Sequence, residues 1–381
     1  MDNLDGVHMG KLRSKLIDSI VLTAFDIINS KGFPVSNPTT SDYLSVIAVG
    51  GYGRNYLAPA SDVDLLILTP YKITPRIEQI CETLLYLLWD LKLKVGYAIR
   101  SLEESISKAK IDNTICTSLL DSRLVAGNVD LWLKFQKIFK QEILNKNKNK
   151  FFYTKIKEKR KRHIKMGDTS YLVEPNIKEG KGGIRDLNTL RWIISFIYQT
   201  TNSDQYVEKE VMTKEEVKLY NKAEKFLFSL RAMMHFLGSN NSDRLTFDLQ
   251  TIIADKLRYK NHSGSSSIER LMKHYYLYAK DVGHLSKSVI EKIENKNFKS
   301  NNSLIKSLIF KFNKNKKGVF EFYGGQIHMS KGIKGLKTID IFRAYNFSAD
   351  MQLDLSGKLE DLIKQNFKKV DLYRDNKKAN I

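Results

Sequence analysis

Cysteine is nearly absent: Cys81 and Cys116 are the only two in 381 residues. Neither belongs to a CxxC or to a cysteine and histidine cluster with metal-ligand spacing, so neither a disulfide framework nor a zinc site organises the chain. Cys81 falls on the apolar face of a predicted helix and reads as a small buried hydrophobe. No stretch reaches the roughly 18 to 20 apolar residues of a membrane span, and the N-terminal MDNLDGVHMGKLRSK has no apolar h-region of the signal-peptide kind. The expectation is a cytoplasmic protein with no membrane partner. Acidic residues are scarce beside basic ones, 42 against 63, which leaves a formal net charge of +21.

A basic balance of that size raises a nucleic-acid hypothesis, because a cationic surface releases counterions from a polyanion. Much of the excess lies in Lys/Asn-rich stretches such as LNKNKNK (144 to 150) and FKFNKNKKG (310 to 318). Such stretches follow from compositional drift as readily as from selection for binding, so a nucleic-acid partner is not favoured.

With 42% hydrophobic residues the chain is long enough for two or three domains with cores of their own. Residues 10 to 31 predict an amphipathic helix with its apolar face at Leu12, Leu16, Ile20, Ala24, Ile27 and Ile28. SVIAVGG (45 to 51) and DVDLLILTP (62 to 70) read as strands joined by a tight connection, a helix follows over 76 to 91, and KVGYAIRS (94 to 101) is a third strand. From about residue 103 the pattern is helical, with strong apolar periodicity over 187 to 198, 223 to 237 and 268 to 290. The Met and aromatic residues on those faces read as core. Residues 295 to 303 form the best linker candidate; beyond them come strand-like pieces in VFEFYGGQIHM and a closing helix near 356 to 368. The expected fold class is α+β, with a small mixed-sheet domain over 1 to 150, a helical domain over 151 to 295 and a mixed region over 296 to 381.

The chemistry concentrates in Gly50-Gly51-Tyr52-Gly53-Arg54, followed after seven residues by Asp62-Val63-Asp64. Alternate strand residues share a face, so Asp62 and Asp64 present two carboxylates side by side. Mg²⁺ takes hard oxygen ligands and shares them with substrate phosphates, and a pair of ions clamps both entering and leaving oxygens. Asp62 and Asp64 are therefore expected to be catalytic and to hold metal. Gly50 and Gly51 allow a triphosphate to approach the backbone where a Cβ would intrude. Arg54 and Ser61 are expected phosphate or metal-shell contacts.

A glycine pair, a short helix and DxD on the next strand is the arrangement of the polymerase β-like nucleotidyltransferase superfamily. The strings GGYGRNYLAPASDVDLLIL, LWDLKLKVGYAIRSLEE, TSLLDSRLVAG, RHIKMGDTSYLVEPNIKEGKGGIRDLNTLRW and SDRLTFDLQTIIADKL resemble the PII uridylyltransferase family over roughly residues 40 to 290. The resemblance implies transfer of UMP from UTP to a tyrosine of a PII-type signalling protein with Mg²⁺, and it places Gly50, Gly51, Asp62 and Asp64 on the nucleotidyltransferase motif. Two departures stand out. The strand on which the superfamily commonly carries a third carboxylate reads Val95-Gly96-Tyr97; Asp186 is considered as a supplementary acid, against its plainer reading as a helix N-terminal residue. The resemblance implies that family members continue into an HD hydrolase domain and paired ACT domains; this chain ends where the HD domain would begin and none of its seven histidines is followed by aspartate, so neither those domains nor uridylyl-removing activity is expected.

His163 is read either as a nucleotide or acidic-partner contact or as a surface residue in a basic run, the second being favoured. Lys181 and Arg185, beside Gly182-Gly183, suit either a phosphate or an ordinary helix start. Two alternatives to uridylyl transfer stay open: a nucleotidyltransferase with another acceptor, RNA or a small molecule, and a non-catalytic protein that keeps nucleotide or partner recognition.

Overall fold

The computed structural model describes residues 5–238, 242–262, 264–298, 315–317, 319–323, 326–330, 336–351 and 354–366. They fall into two compact units, Met1–Gly283 and His284–Ile381.

The first unit opens with α1 (Gly6–Ile27), then β1 (Ser45–Ala48), a single helical turn α2 (Gly50–Gly53), β2 (Val63–Thr69), α3 (Pro75–Asp90) and β3 (Val95–Ser101). Helices α4 (Leu102–Ile111) and α5 (Asn113–Leu120) precede β4 (Arg123–Gly127), and α6 (Val129–Phe139), α7 (Lys148–Lys165), α8 (Ile184–Tyr198), α9 (Gln205–Glu208), α10 (Lys214–Leu237) and α11 (Phe247–Lys256) follow. Helix α12 (Ser267–Phe298) carries the chain past Gly283. The sheet order is β3-β2-β1-β4; β1 is antiparallel to both its neighbours, and β2 runs parallel to β3. This is a small mixed sheet flanked by helices, with a largely helical remainder.

Local chemistry accounts for the element boundaries. Thr74 caps α3 by accepting from the Ile77 N–H, with Pro75 pre-set for the first helical position. A reciprocal Thr213/Glu216 box starts α10. Strand β2 is central and covered on both sides, which is why it is apolar at nearly every position. Val63, Leu65 and Ile67 pack with α1 and α3, whereas Leu66 and Leu68 pack with Phe135, Trp192 and Phe196. Asp64 lies on the second face, at the end of the strand where that apolar packing stops.

Three expectations are corrected. On α1 the buried residues are Gly6, Gly10, Ser14, Ile17, Val21, Ala24 and Phe25, while Leu12 and Leu16 are 53% and 61% exposed. Both faces of this helix carry apolar residues, and the small ones decide: a Cβ on Gly6 would meet the Ser229 backbone at 2.4 Å, so that side lies closest to the protein. Strand β4 breaks the helical run expected after residue 103; its Leu and Val are packed as a sheet edge on β1. Residues 295 to 298 of the expected linker belong to α12, and 299 to 303 lie outside the described residues.

In the second unit, β5 (Asn315–Lys317), β6 (Phe320–Tyr323), β7 (Gln326–Met329) and β8 (Asp354–Leu355) form a sheet in that order, with α13 (Thr338–Met351) and α14 (Gly357–Asn366). Phe320, Ile327, Ile341, Leu355, Leu359 and Ile363 make its core.

The glycines of the first connection have different duties. A Cβ on Gly53 would lie 2.0 Å from the Asp121 carbonyl oxygen, whereas one on Gly51 meets nothing closer than 3.9 Å. Gly53→Ala is therefore expected to cost about 3 kcal/mol or more of stability by forcing two backbones apart. Gly51→Ala should stay within about 1 kcal/mol of the parent. Urea unfolding of the two variants side by side checks the contrast.

Candidate functional site

The connection from β1 to β2 folds back on itself so that its two ends meet. The Val49 N–H donates to the Asp64 carbonyl at 3.1 Å, and Gly50 follows in the left-handed region at φ +59°. That turn keeps Gly50 beside the Asp64 carboxylate, where a Cβ would come within 3.3 Å of Oδ2. On the other side β3 places Gly96 directly across from Asp64, and a Cβ there would sit 2.8 Å from Oδ1. The position at which a third carboxylate was sought is thus the space that the Asp64 side chain fills.

Asp62 is exposed and Asp64 is half-buried. Among the described residues neither carboxylate takes part in a hydrogen bond or an ion pair. Burial, with the neighbouring charge of Asp62, raises the Asp64 pKa against the opposing pull of Arg54 and Lys178. Two like charges held together without a partner form a set that a divalent cation fits: Mg²⁺ is held by one or two carboxylates plus substrate oxygens. No group of three or more His, Cys, Asp or Glu residues suited to a metal occurs among the described residues.

The cations that the sequence singles out are already paired. Arg54 Nη1 lies 2.5 Å from Asp121 Oδ2, with 8% and 1% of the two side chains exposed. Lys181 Nζ contacts Asp168 Oδ1 at 3.1 Å, and Arg185 Nη2 contacts Glu179 Oε1 at 2.9 Å. Gly182 and Gly183 are set by packing: Cβ atoms there would lie 2.0 Å from the Ala279 carbonyl oxygen and 2.5 Å from that of Ile177. Ser61 is half-buried, and its N–H closes a turn on the Ala58 carbonyl.

Asp186 is fully buried at the start of α8. It accepts from Arg162 Nη2 at 2.5 Å and from the Gly182 N–H at 2.9 Å, and His163 Nε2 lies 2.9 Å from it. Burial alone would raise its pKa, but Lys159, His163 and Arg162 hold it well below the usual carboxylate range. The carboxylate is occupied by its own helix start. His163, favoured as a surface residue, is instead largely covered and pairs with this aspartate.

Several residues that frame the site had no sequence signal. Asp121 also accepts from Trp192 Nε1 at 2.7 Å, joining the loop after β1 to α8. Tyr52 donates to Asp18 of α1 at 2.6 Å, and Arg123 grips the same carboxylate at 2.8 Å with both terminal nitrogens. From α10, His235 Nδ1 accepts the Ala60 N–H at 3.2 Å, which leaves Nε2 to donate to Asp243 at 3.1 Å. Asp243 accepts from Arg231 Nε at 2.7 Å as well, and Lys178 Nζ lies 3.7 Å from its other oxygen. Of these, the Tyr52–Asp18 and Ala60–His235 contacts pair a residue near the acidic motif with one 34 and 175 positions away.

A paired-acid strand end beside a glycine turn on a small mixed sheet, roofed by helices, defines a nucleotidyltransferase-type fold. Residues 150–290 match the family described as GlnD PII-uridylyltransferase. The chain is 44% identical over 272 residues to a bifunctional uridylyltransferase/uridylyl-removing enzyme of Azospirillum brasilense, covering 71% of this chain and 29% of that protein. It is 36% identical over 368 residues to the enzyme of the same name in Rhodospirillum rubrum, covering 96% of this chain and 39% of the relative. The chain belongs to the PII-uridylyltransferase family and spans less than half the length of these two relatives.

Two outcomes follow from the charges. Asp121→Asn should cost about 3 to 5 kcal/mol of stability in urea titration, because Arg54 and Arg191 lose the carboxylate that both are paired with in a dry site. Asp64 has its pKa raised on folding, so it favours the folded chain at acid pH and loses that contribution as pH rises through its folded value. Asp64→Asn is therefore expected to unfold at higher denaturant than the parent at pH 7, with the advantage shrinking toward about pH 3.

Proposed function

We propose that this protein is a Mg²⁺-dependent nucleotidyltransferase that moves UMP from UTP to a tyrosine of a PII-type signalling protein, releasing pyrophosphate. The observation that carries the reading is the pair of unpartnered carboxylates, Asp62 just before β2 and Asp64 on it, beside the turn of Gly50 and Gly51. The similarity to uridylyltransferases supports the choice of nucleotide and acceptor. Uridylyl removal, which those relatives' names also include, is not carried over to this chain.

In such a transfer the tyrosine oxygen attacks the α-phosphorus in line, a new P–O bond forms, and the bond to the β-phosphate oxygen breaks. Magnesium held by Asp62 and Asp64 would neutralise charge gathering on the phosphates. The chain's own contribution is position: β2 holds Asp64 rigidly between Gly50 and Gly96, and the Ala60–His235 hydrogen bond fixes the approach to Asp62. Gly50 and Gly96 leave the Asp64 side chain its room, and the open Gly51 backbone leaves room for the phosphate chain.

The net charge of +21 favours one other acceptor, RNA, within the same reaction class. The experiment is incubation with Mg²⁺, labelled UTP or ATP, and the PII protein of the same cell, beside an Asp62→Asn, Asp64→Asn double variant. Label passing from UTP to PII with the parent, and falling at least about a thousandfold with the variant, is the expected result. No transfer to PII from either nucleotide would remove the PII reading, and label found on RNA would put the second in its place.

A further inference from the structure

Three of the cations closest in sequence to the glycines already have carboxylates of their own: Arg54 with Asp121, Lys181 with Asp168 and Arg185 with Glu179. A triphosphate needs positive charge that is not already spent within the protein. We infer that Lys178 supplies it, as the side chain that binds the phosphate chain of the nucleoside triphosphate opposite Asp62 and Asp64; the assignment rests on the nucleotidyltransferase reading.

The placement follows from a short series of contacts. Ala60, two residues before Asp62, donates its N–H to His235, and His235 donates to Asp243. The same carboxylate has the Lys178 ammonium 3.7 Å away, outside hydrogen-bond length. Lys178 therefore lies across Asp243 and His235 from the acidic loop, within electrostatic reach of Asp64. Asp243 is already bonded to Arg231 at 2.7 Å, so one carboxylate faces two full cations and the group keeps a net charge of +1. Lys178 is the looser of the two cations, with a third of its side chain exposed (34%) against 10% for Arg231.

The backbone beneath it is fixed. Asn176 Oδ1 accepts from the N–H groups of Lys178 and Glu179 at 3.0 and 2.7 Å, and the Lys178 carbonyl accepts from Arg185 N–H at 2.8 Å. The ammonium thus starts from a rigid turn and is half-buried. Burial, then Arg231 and Arg185, depress its pKa despite Asp243 and Glu179. A phosphate oxygen would relieve that crowding of positive charge. Lysine serves phosphates as a compact point charge, so the interaction needs no fork geometry.

The test is calorimetric titration of the parent, Lys178→Met and Lys178→Arg with UTP and, separately, UMP, both with Mg²⁺ present. No acceptor is needed. Lys178→Met is expected to weaken UTP binding by on the order of tenfold or more, to leave UMP within about twofold, and to keep the parent's thermal midpoint; Lys178→Arg should recover most of the loss. Equal UTP affinity in the parent and Lys178→Met overturns the inference while leaving the proposed reaction intact. An equal loss for UTP and UMP also overturns it, since that is how a merely structural residue would behave. A parent that binds neither nucleotide would defeat the nucleotidyltransferase reading itself.

Discussion

The Asp121 carboxylate is the point on which the first unit hangs together. It is taken almost wholly out of water between Arg54, which leaves the glycine turn, and Trp192, which belongs to α8, with Arg191 close by. A desolvated carboxylate is tolerable only when charge and hydrogen bonds replace its lost water. Arg54 and Trp192 do that together at one oxygen, Oδ2, which ties the turn that carries Gly50 to α8. The backbone repeats the constraint, since Gly53 touches the Asp121 carbonyl so closely that no side chain fits between them.

Around this fixed point the charges divide into two kinds. Asp18, Asp121, Asp186 and Asp243 each accept from arginine, histidine, tyrosine or tryptophan and so act as fasteners. Asp62 and Asp64 are left without partners and repel each other. The contrast is more informative than the overall charge of +21, because an acid that folding leaves unneutralised is an acid kept for something else. Stability is sacrificed at this one strand end and recovered in the surrounding network.

Much of this was legible in the sequence where the signal is local. The glycine turn, the alternate aspartates at the start of β2, and the helices α3, α8 and α10 each announce themselves within a dozen residues, through a period of 2 or 3.6. The face of α1 was not legible, because Leu12 and Leu16 look more hydrophobic than the Gly10 and Ser14 that the protein buries. Strand β4 was hidden inside a run that also suits a helix. The partners of Arg54, Lys181 and Arg185 were hidden for another reason. Arg54 and Asp121 are 67 residues apart, and even Lys181 and Asp168 meet only because of the turn between them. Periodicity says which side of a helix is wet; it does not say which carboxylate a given arginine will meet.

Strand β2 shares one of its faces with Trp192 and Phe196 of α8, and α10 reaches back to Ala60 through His235. The sheet with its acidic motif is therefore not a module that can be lifted out of the chain. Cutting after residue 150 would bare the apolar side of the sheet and strip Asp121 of its tryptophan and one of its arginines. A laboratory expressing this site in isolation, or a genome shuffling it into another protein, must move the sheet together with α8 and α10 as one cassette.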